Sequence, residues 1–582
     1  MSQRSDALTV ALTGQLSFIL IVSAVLALAA SFLLLHFYRR AVIKSMRRRG
    51  RSEILETKGF LPPEAEHKPN DAPLNFTFVT RDSAWTNRDA ATLYRGANRR
   101  QWLIASVHMI AGCCFAAAMT AAFLTAGKMS FSPFRFMFLT WANAWPVVMA
   151  IDLVIGLSRR GKLIGALVYF LIGVVVGTIV LAKNPGLPIG QLLYLWLEFN
   201  AIPTVLLLIF LNRRIRALGP LVLVFMILGV TGASFVVTLT GNNLKFLKAV
   251  SDFSYSIGLG ATGTMVALHL IGFAAFAILG WLILGLLRRL YEKKYVSEKS
   301  ITLDAMWLLF GIVNSIGLVF EGRLWIFSGL AAFTLYKLVA AGLFRSLGIA
   351  RRAKSPGHRL LLLRVFALGK RSESLYDTLG KSWRTVGSMQ LIAGPDLATS
   401  TIEPHEFLDF VSGKLDRRFI DTGRTLDLRI DQMDLAPDGE GQFRVTEFFC
   451  HDDTWKITLA RLADESDAVL MDLRGFSQIN AGCVFEINEL FNLVQLQRVV
   501  FAVDDTTDQE FMRETMQQTW RHIKDRSPNH RSSAGQVSLV QLTRSDAIRD
   551  LLFSLCVAAT AKPEQAGIER LPPKSDDRPF SW

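Results

Sequence analysis

Apolar residues come in long, unbroken runs as far as Leu343 and in short, interrupted ones beyond Pro356. Leu16 to Leu35, Trp102 to Leu124, Phe134 to Leu157, Leu163 to Leu181, Leu192 to Leu211, Leu221 to Leu239, Met265 to Leu287, Ile301 to Phe320 and Leu324 to Leu343 come next to one another in this way. Each is close to the ~20 residues a helix needs to cross a hydrocarbon core of about 30 Å. The pattern predicts an α-helical polytopic membrane domain of about nine transmembrane helices. Arg39, Arg40, Lys44 and Arg47 follow the first run and no small-residue cleavage site does, so that run reads as an uncleaved anchor.

Beyond Pro356 the hydrophobic period shortens and begins to alternate. Leu360 to Phe366, Met389 to Ala393, Phe443 to Cys450, Ala468 to Leu473, Val499 to Val503 and Val537 to Leu542 read as strands. Ser372 to Trp383, His405 to Phe419, Thr454 to Ala463, Cys483 to Val494, Gln509 to Lys524 and Ala547 to Ala559 read as helices. Strands alternating with helices predict an α/β doubly wound parallel sheet, covered on both faces. The expected organisation is a multi-span domain over 1–350, with a cytosolic loop at 38–100 in which Phe76 to Thr80 reads as a short strand, then a cytosolic α/β domain over 356–560. A Pro-, Asp- and Lys-rich tail, 561–582, is expected to be disordered.

The net charge of +15 alters this picture only in topology. The Lys and Arg residues sit in alternate short connectors, where they act as orientation signals and not as a nucleic-acid surface. The positive-inside rule then places the N-terminus outside and the C-terminal domain in the cytoplasm of a bacterial-type inner (plasma) membrane, as an odd number of spans requires. Five scattered cysteines form neither a disulfide framework nor a zinc site, and no metal is expected.

Ionisable residues inside spans are costly and need partners. Asp152, Glu198 and Lys337 are the candidates. Asp152 and Lys337 lie at matching depths, roughly 8 to 9 Å from cytoplasmic span ends at a helical rise of about 1.5 Å. Two arrangements are open: a mutual ion pair, or separate snorkelling to the interface. Glu198 sits beside Asn200 and Pro203, which suggests a kinked helix next to a polar cluster, structural or ligand-binding. His108 and His269 read as core packing. The outer loop from Gly241 to Gly260 has apolar residues at helical spacing, which fit either a membrane-surface helix or packing on neighbouring spans.

The densest chemical signal runs from Asp467 to Asp508. In open parallel sheets, ligands bind beyond the carboxyl ends of the strands. Asp472, Arg474, Ser477 and Asn480 follow one predicted strand, and Asp504 and Asp505 follow the next. Gly475 and Gly482 would let the first loop turn sharply and bring backbone N–H groups toward a ligand. Cys483 and Glu486 are neighbours on the following helix. Glu486 lies off the stripe Val484, Ile487, Phe491 and Val494, so the pattern leaves it unburied, with a helix-dipole role as the plain explanation.

The segment Ala-Gly-Cys-Val-Phe-Glu-Ile, with Val-Val-Phe-Ala-Val-Asp-Asp-Thr-Thr-Asp after it, resembles the Toll/interleukin receptor (TIR) family, whose helix begins Ser-x-Trp-Cys-x-x-Glu-Leu. The likeness covers about forty residues at motif level, and Gly482 stands in place of the family's tryptophan. It implies a flavodoxin-like sheet and, in NAD-cleaving members, a glutamate at the position of Glu486 that engages the nicotinamide ribose. That carboxylate would stabilise positive charge during glycosidic cleavage. Three functions stay open. The first is a membrane-anchored signalling or effector protein whose cytosolic domain binds NAD or another nucleotide, with an NAD glycohydrolase as its enzymatic form. The second is a non-enzymatic sensor or scaffold, and the third a transporter regulated by its cytosolic domain. The partners expected are the lipid bilayer and, for the cytosolic domain, a second copy or another protein.

Overall fold

The computed structural model describes residues 2–47, 70–79, 87–210, 215, 218–293, 297–349, 357–364, 370–393, 409–413, 415–433, 435–530, 532–543 and 547–561. Among them, nine helical segments are long and apolar enough to cross a membrane, and they coincide with the nine predicted runs. They are built from α1 (Ser2–Met46), α2 (Arg88–Ala126), the pair α3 (Pro133–Asn143) and α4 (Trp145–Ile155), α5 (Arg159–Lys183), α6 (Ile189–Phe210), α7 (Gly219–Gly241), α9 (Ala261–Glu292), α10 (Glu298–Leu318) and α11 (Ser328–Ser346). A shorter helix, α8 (Leu244–Ser256), joins α7 to α9. Several helices outrun their apolar cores. At about 1.5 Å per residue, α1 extends over roughly 65 Å, twice what a hydrocarbon core demands.

Beyond these helices come β2 (His358–Arg364), α12 (Lys370–Trp383), β3 (Gly387–Ala393), β4 (Phe419–Ile420), α13 (Gly423–Asp431), β5 (Val445–Cys450), α14 (Trp455–Glu465), β6 (Ala468–Asp472), α15 (Ala481–Leu493), β7 (Val499–Val503), α16 (Gln509–Arg521), β8 (Gly535–Gln541) and α17 (Ala547–Thr560). The early strand β1 (Leu74–Phe78) overlaps the stretch predicted at Phe76 to Thr80. The expected helix from His405 to Phe419 begins outside the described residues, and its last residues are instead a short turn of 3-10 helix leading into β4. Helix α13 lies between the predicted helix His405 to Phe419 and the predicted strand Phe443 to Cys450, where no element was expected. Its Thr422–Thr425 capping box satisfies the first turn, a signal weaker than the Ser/Thr…Glu form. The predicted tail, 561–582, lies almost entirely outside the described residues.

The chain divides into two compact units. The first comprises Met1–Leu55, Arg95–Gly357 and Gly369–Thr458; the second comprises Glu56–Tyr94, His358–Leu368 and Leu459–Trp582.

In the first unit, the apolar helices pack by close approach. Gly232 and Gly272 meet where α7 crosses α9, so a Cβ on either would strike the other backbone, and Gly311 meets Gly329 in the same way between α10 and α11. Gly112 leaves room for the fully buried ring of Trp307. Strands β4 and β3 flank β5, all parallel. The second unit is a parallel sheet in the order β1-β8-β7-β6-β2. Its central strands Ala468–Asp472 and Val499–Val503 are buried throughout, as continuous apolar strands between two covering layers must be. Helix α17 covers β2, β6, β7 and β8, and α15 packs on α16.

Candidate functional site

In the second unit, three strands end side by side. Arg364 ends β2 and pairs in register with Asp472, which ends β6, and Asp472 pairs with Ala502 of β7. Helix α15 begins just beyond these ends. The Sγ of Cys483 in its first turn reaches the carbonyl of Arg364 at 3.8 Å, which draws the helix over β2. One turn later comes Glu486.

Glu486 is only 3% exposed, contrary to the expectation that it stands off the apolar stripe. The buried stripe is Cys483, Glu486, Ile487, Leu490 and Phe491, an i, i+3, i+4, i+7, i+8 pattern anchored on Cys483 and not on Val484. The phase of the stripe decided the error. Glu486 also lies in the second turn of α15, whose first turn has no acidic residue, so compensation of the helix dipole is not its role. Its Oε2 is buried and has no hydrogen-bond partner among the described residues. Burial pushes its carboxyl up to about 8, although the nearby guanidinium of Arg364 pulls the other way. At neutral pH the group is therefore mainly the uncharged acid, able to donate a hydrogen bond.

Most of the other predicted ligand residues already bond to the protein. Arg474 grips Asp472 with two nearly parallel bonds, Nε to Oδ1 at 2.8 Å and Nη2 to Oδ2 at 2.7 Å, and both residues are buried. Ser477 donates its backbone N–H and hydroxyl to Oδ1 of Asn480, which shapes the loop before α15. The Oδ1 of Asp504 accepts from the N–H and hydroxyl of Thr506, and Thr507 donates to the carbonyl of Leu473, tying the β7–α16 loop to the β6–α15 loop. Asp505 is exposed and meets Gln541 at 3.4 Å. Of the two loop glycines only Gly475 adopts the left-handed conformation, with φ 69°. Gly482 has open space around it and no positive φ, so the turn does not require glycine there.

In the first unit the three polar residues of the apolar helices separate. Asp152 and Lys337 do not pair with each other. Asp152 accepts from the N–H of Leu157 at 3.1 Å and from Nζ of Lys162 at 2.7 Å, because α4 ends at a left-handed Gly156 that swings the next helix's lysine toward it. Lys337 bonds both oxygens of Asp304, at 3.0 and 2.8 Å, from α11 to α10. Asp304 was passed over in the sequence, although it lies three residues inside the run beginning at Ile301. Glu198 is exposed and stands apart from the buried Asn200, which donates to the carbonyls of Ala142 and Trp196. His108 is buried against Tyr336, with Nδ1 2.8 Å from the tyrosine hydroxyl.

The same unit grips the segment 370–458 with several helix ends. Tyr38, Val42 and Met46 of α1 share an apolar cluster with Leu415, Phe419 and Phe449. His451 bridges the Ser45 carbonyl at 2.9 Å and Asp421 at 2.8 Å, and its ring stacks on Phe419. Arg288 of α9 pairs with Asp409 at 2.7 Å, and Arg444 lies over the ring of Tyr291. Ser297 reaches Glu440, and Arg100 of α2 donates to the carbonyl of Thr385.

Among the described residues, no group of three or more His, Cys, Asp or Glu could hold a metal ion. Burial pushes the thiols of Cys450 and Cys556 up to about 11 and about 12, which makes both poor nucleophiles. No family model matches this chain, and neither the curated proteins nor the solved structures contain a significant match to it.

Proposed function

We propose that the chain is a membrane-anchored signalling or effector protein. In this reading its nine apolar helices cross a bacterial-type inner membrane, with the N-terminus outside and the C-terminal sheet in the cytoplasm, and the sheet binds a nucleotide beyond the carboxyl ends of β2, β6 and β7. The order β2-β6-β7-β8 is the 1-3-4-5 run of a flavodoxin-like sheet, the architecture of TIR domains, and supports placing a ligand there. The observation that carries the proposal is Glu486: a carboxyl buried at a strand-end site, with one oxygen that has no hydrogen-bond partner among the described residues, is costly unless something else uses it.

Its protonation favours binding over cleavage. A glutamate that stabilises an oxocarbenium-like ribose must be anionic, whereas an acid held up to about 8 donates a hydrogen bond to a base or hydroxyl. Titration calorimetry of the full-length protein in nanodiscs, with NAD and with ATP as separate probes, tests this. Glu486→Gln keeps a donor and is expected to retain affinity. Glu486→Ala is expected to weaken it about tenfold, the value of one hydrogen bond near 1.4 kcal/mol. Absence of binding by either nucleotide would overturn the reading, and NAD turnover abolished by Glu486→Gln would replace it with the glycohydrolase.

A non-catalytic sensor is the second reading. It is favoured by the grip of α1, α2, α9 and α10 on 370–458, through which motion of a spanning helix would reach the cytosolic segment directly.

A further inference from the structure

Helix α8 connects the last turn of α7 to the first of α9, at the end of α9 away from Tyr291 and its contact with Arg444. It is a well-formed helix on its own terms. The side chain of Asn243 caps it by accepting from the N–H of Phe246 at 3.2 Å, and Gly258, with φ 80°, turns the chain back toward α9. At about 100° per residue, Phe246, Ala249, Val250, Phe253 and Ile257 occupy one arc, Lys245, Lys248 and Asp252 lie together on one flank of it, and the exposed Leu244 and Tyr255 lie on the far side. Packing on the neighbouring spans, the commoner fate of such a loop, would have covered the apolar arc. It does not: Ser254 is the only buried residue of the helix, Phe246 is 49% exposed and Phe253 66%.

What covers that arc is indicated by its surroundings. Phe235 and Leu239 near the end of α7, and Met265 and Val266 near the start of α9, are all more than half exposed, so exposed apolar side chains stand on both long helices close in the chain to α8. A bilayer covering the helices would also meet α8 at the level where hydrocarbon gives way to headgroups. Lys245 and Lys248, on the flank of that arc, are placed to meet headgroup phosphate.

We infer that α8 is an interfacial helix that binds the outer lipid surface, with Phe246 and Phe253 in the acyl region and Lys245 and Lys248 at headgroup phosphates. This rests on the reading that the nine helices span a membrane.

Photo-crosslinking of the full-length protein in membranes tests the inference, with p-benzoylphenylalanine replacing Phe253, Lys248 or, as a control on α5, Leu167, which is 69% exposed. Mass spectrometry is expected to find acyl-chain adducts at 253 and 167 and none at 248. Adducts at 167 but none at 253, or a crosslink from 253 to a second copy of the chain or to another protein, would overturn the interfacial assignment alone. Adducts at both 253 and 248 would overturn the orientation. Absence of lipid adducts at both 253 and 167 would remove the spanning reading and the inference with it.

Discussion

Asp304 and Asp409 in the first unit and Glu486 in the second answer the cost of a carboxyl away from water in opposite ways. In the helical unit, Asp304 receives both oxygens' worth of bonding from Lys337, and Asp409 is held by Arg288 and by Arg418. In the sheet unit, Asp472 has Arg474, but Glu486 has an oxygen with no hydrogen-bond partner among the described residues and escapes the cost of a buried charge by keeping its proton. Pairing preserves a charge and serves a scaffold. Protonation leaves a donor and an unfilled need, which is what a ligand site offers. In the first unit these ion pairs join α10 to α11 and α9 to the segment 370–458.

The largest expected effect tests the helical side. With Lys337 42% and Asp304 21% exposed the pair is only partly buried, so Lys337→Met, which leaves Asp304 without this partner between α10 and α11, should lower stability by about 3 kcal/mol, the low end for a buried pair, read as a fall in thermal midpoint. Lys337→Met combined with Asp304→Asn removes both charges and should recover most of the loss. A double variant no better than the single one would mean that the pair does more than neutralise itself.

The next effect tests the sheet side, and its sign is fixed by linkage. The carboxyl of Glu486 is raised from 4.5 to about 8 on folding, so between these values the unfolded chain gives up a proton that the folded chain keeps. Stability attributable to this group is therefore greatest below pH 4.5 and declines as pH rises toward 8. Glu486→Gln should flatten that decline and, at pH 8, stabilise the protein by about 2 to 3 kcal/mol after discounting for relaxation of the site. Unfolding midpoints of both proteins from pH 5 to about pH 9 read this out. Parallel curves would show that the acid is solvated and not confined.

How much of this was legible in the sequence follows from how local each signal is. The nine apolar runs and the short strands such as Val499–Val503 depend on composition over a few residues, and each apolar run reappears within a helix, although α1 and α2 extend well beyond theirs. The burial of Glu486 depended on the phase of one stripe, and shifting its anchor from Val484 to Cys483 reverses the answer. The partners of Asp152 and Lys337 depended on tertiary geometry: matching depth could not reveal that Gly156 redirects the chain so that Lys162 reaches Asp152 first. The attachment of 370–458 to the helix ends was the least legible, because its bonds join residues such as Ser45 and His451 that are far apart in the chain.

That attachment supplies a smaller test. The nitrogens of His451 engage two acceptors at once, the carbonyl of Ser45 near the end of α1 and the carboxylate of Asp421. His451→Ala removes both bonds and the stack on Phe419 and should cost about 2 kcal/mol. If this joint transmits motion, hydrogen exchange near Ser45 and Met46 should also accelerate while exchange in β7 does not change. Uniform acceleration would indicate general destabilisation and weaken the sensor reading.

The smallest effect marks where the comparison between paired and unpaired carboxylates stops mattering. Asp152 resembles Asp304 in having a lysine partner, yet the Lys162 side chain is 54% exposed and the pair is a surface one, open to screening. Asp152→Asn removes the charge but keeps Oδ1, the atom that accepts from the N–H of Leu157 just past the end of α4. The expected cost is below about 1 kcal/mol, and it should shrink further at high salt. Asp152→Ala also orphans the Leu157 N–H and should cost more than Asn does. If the Asn and Ala variants were equally damaging, charge and not end-capping would be what Asp152 supplies, and it would belong with Asp304 among the residues that pin the helices together.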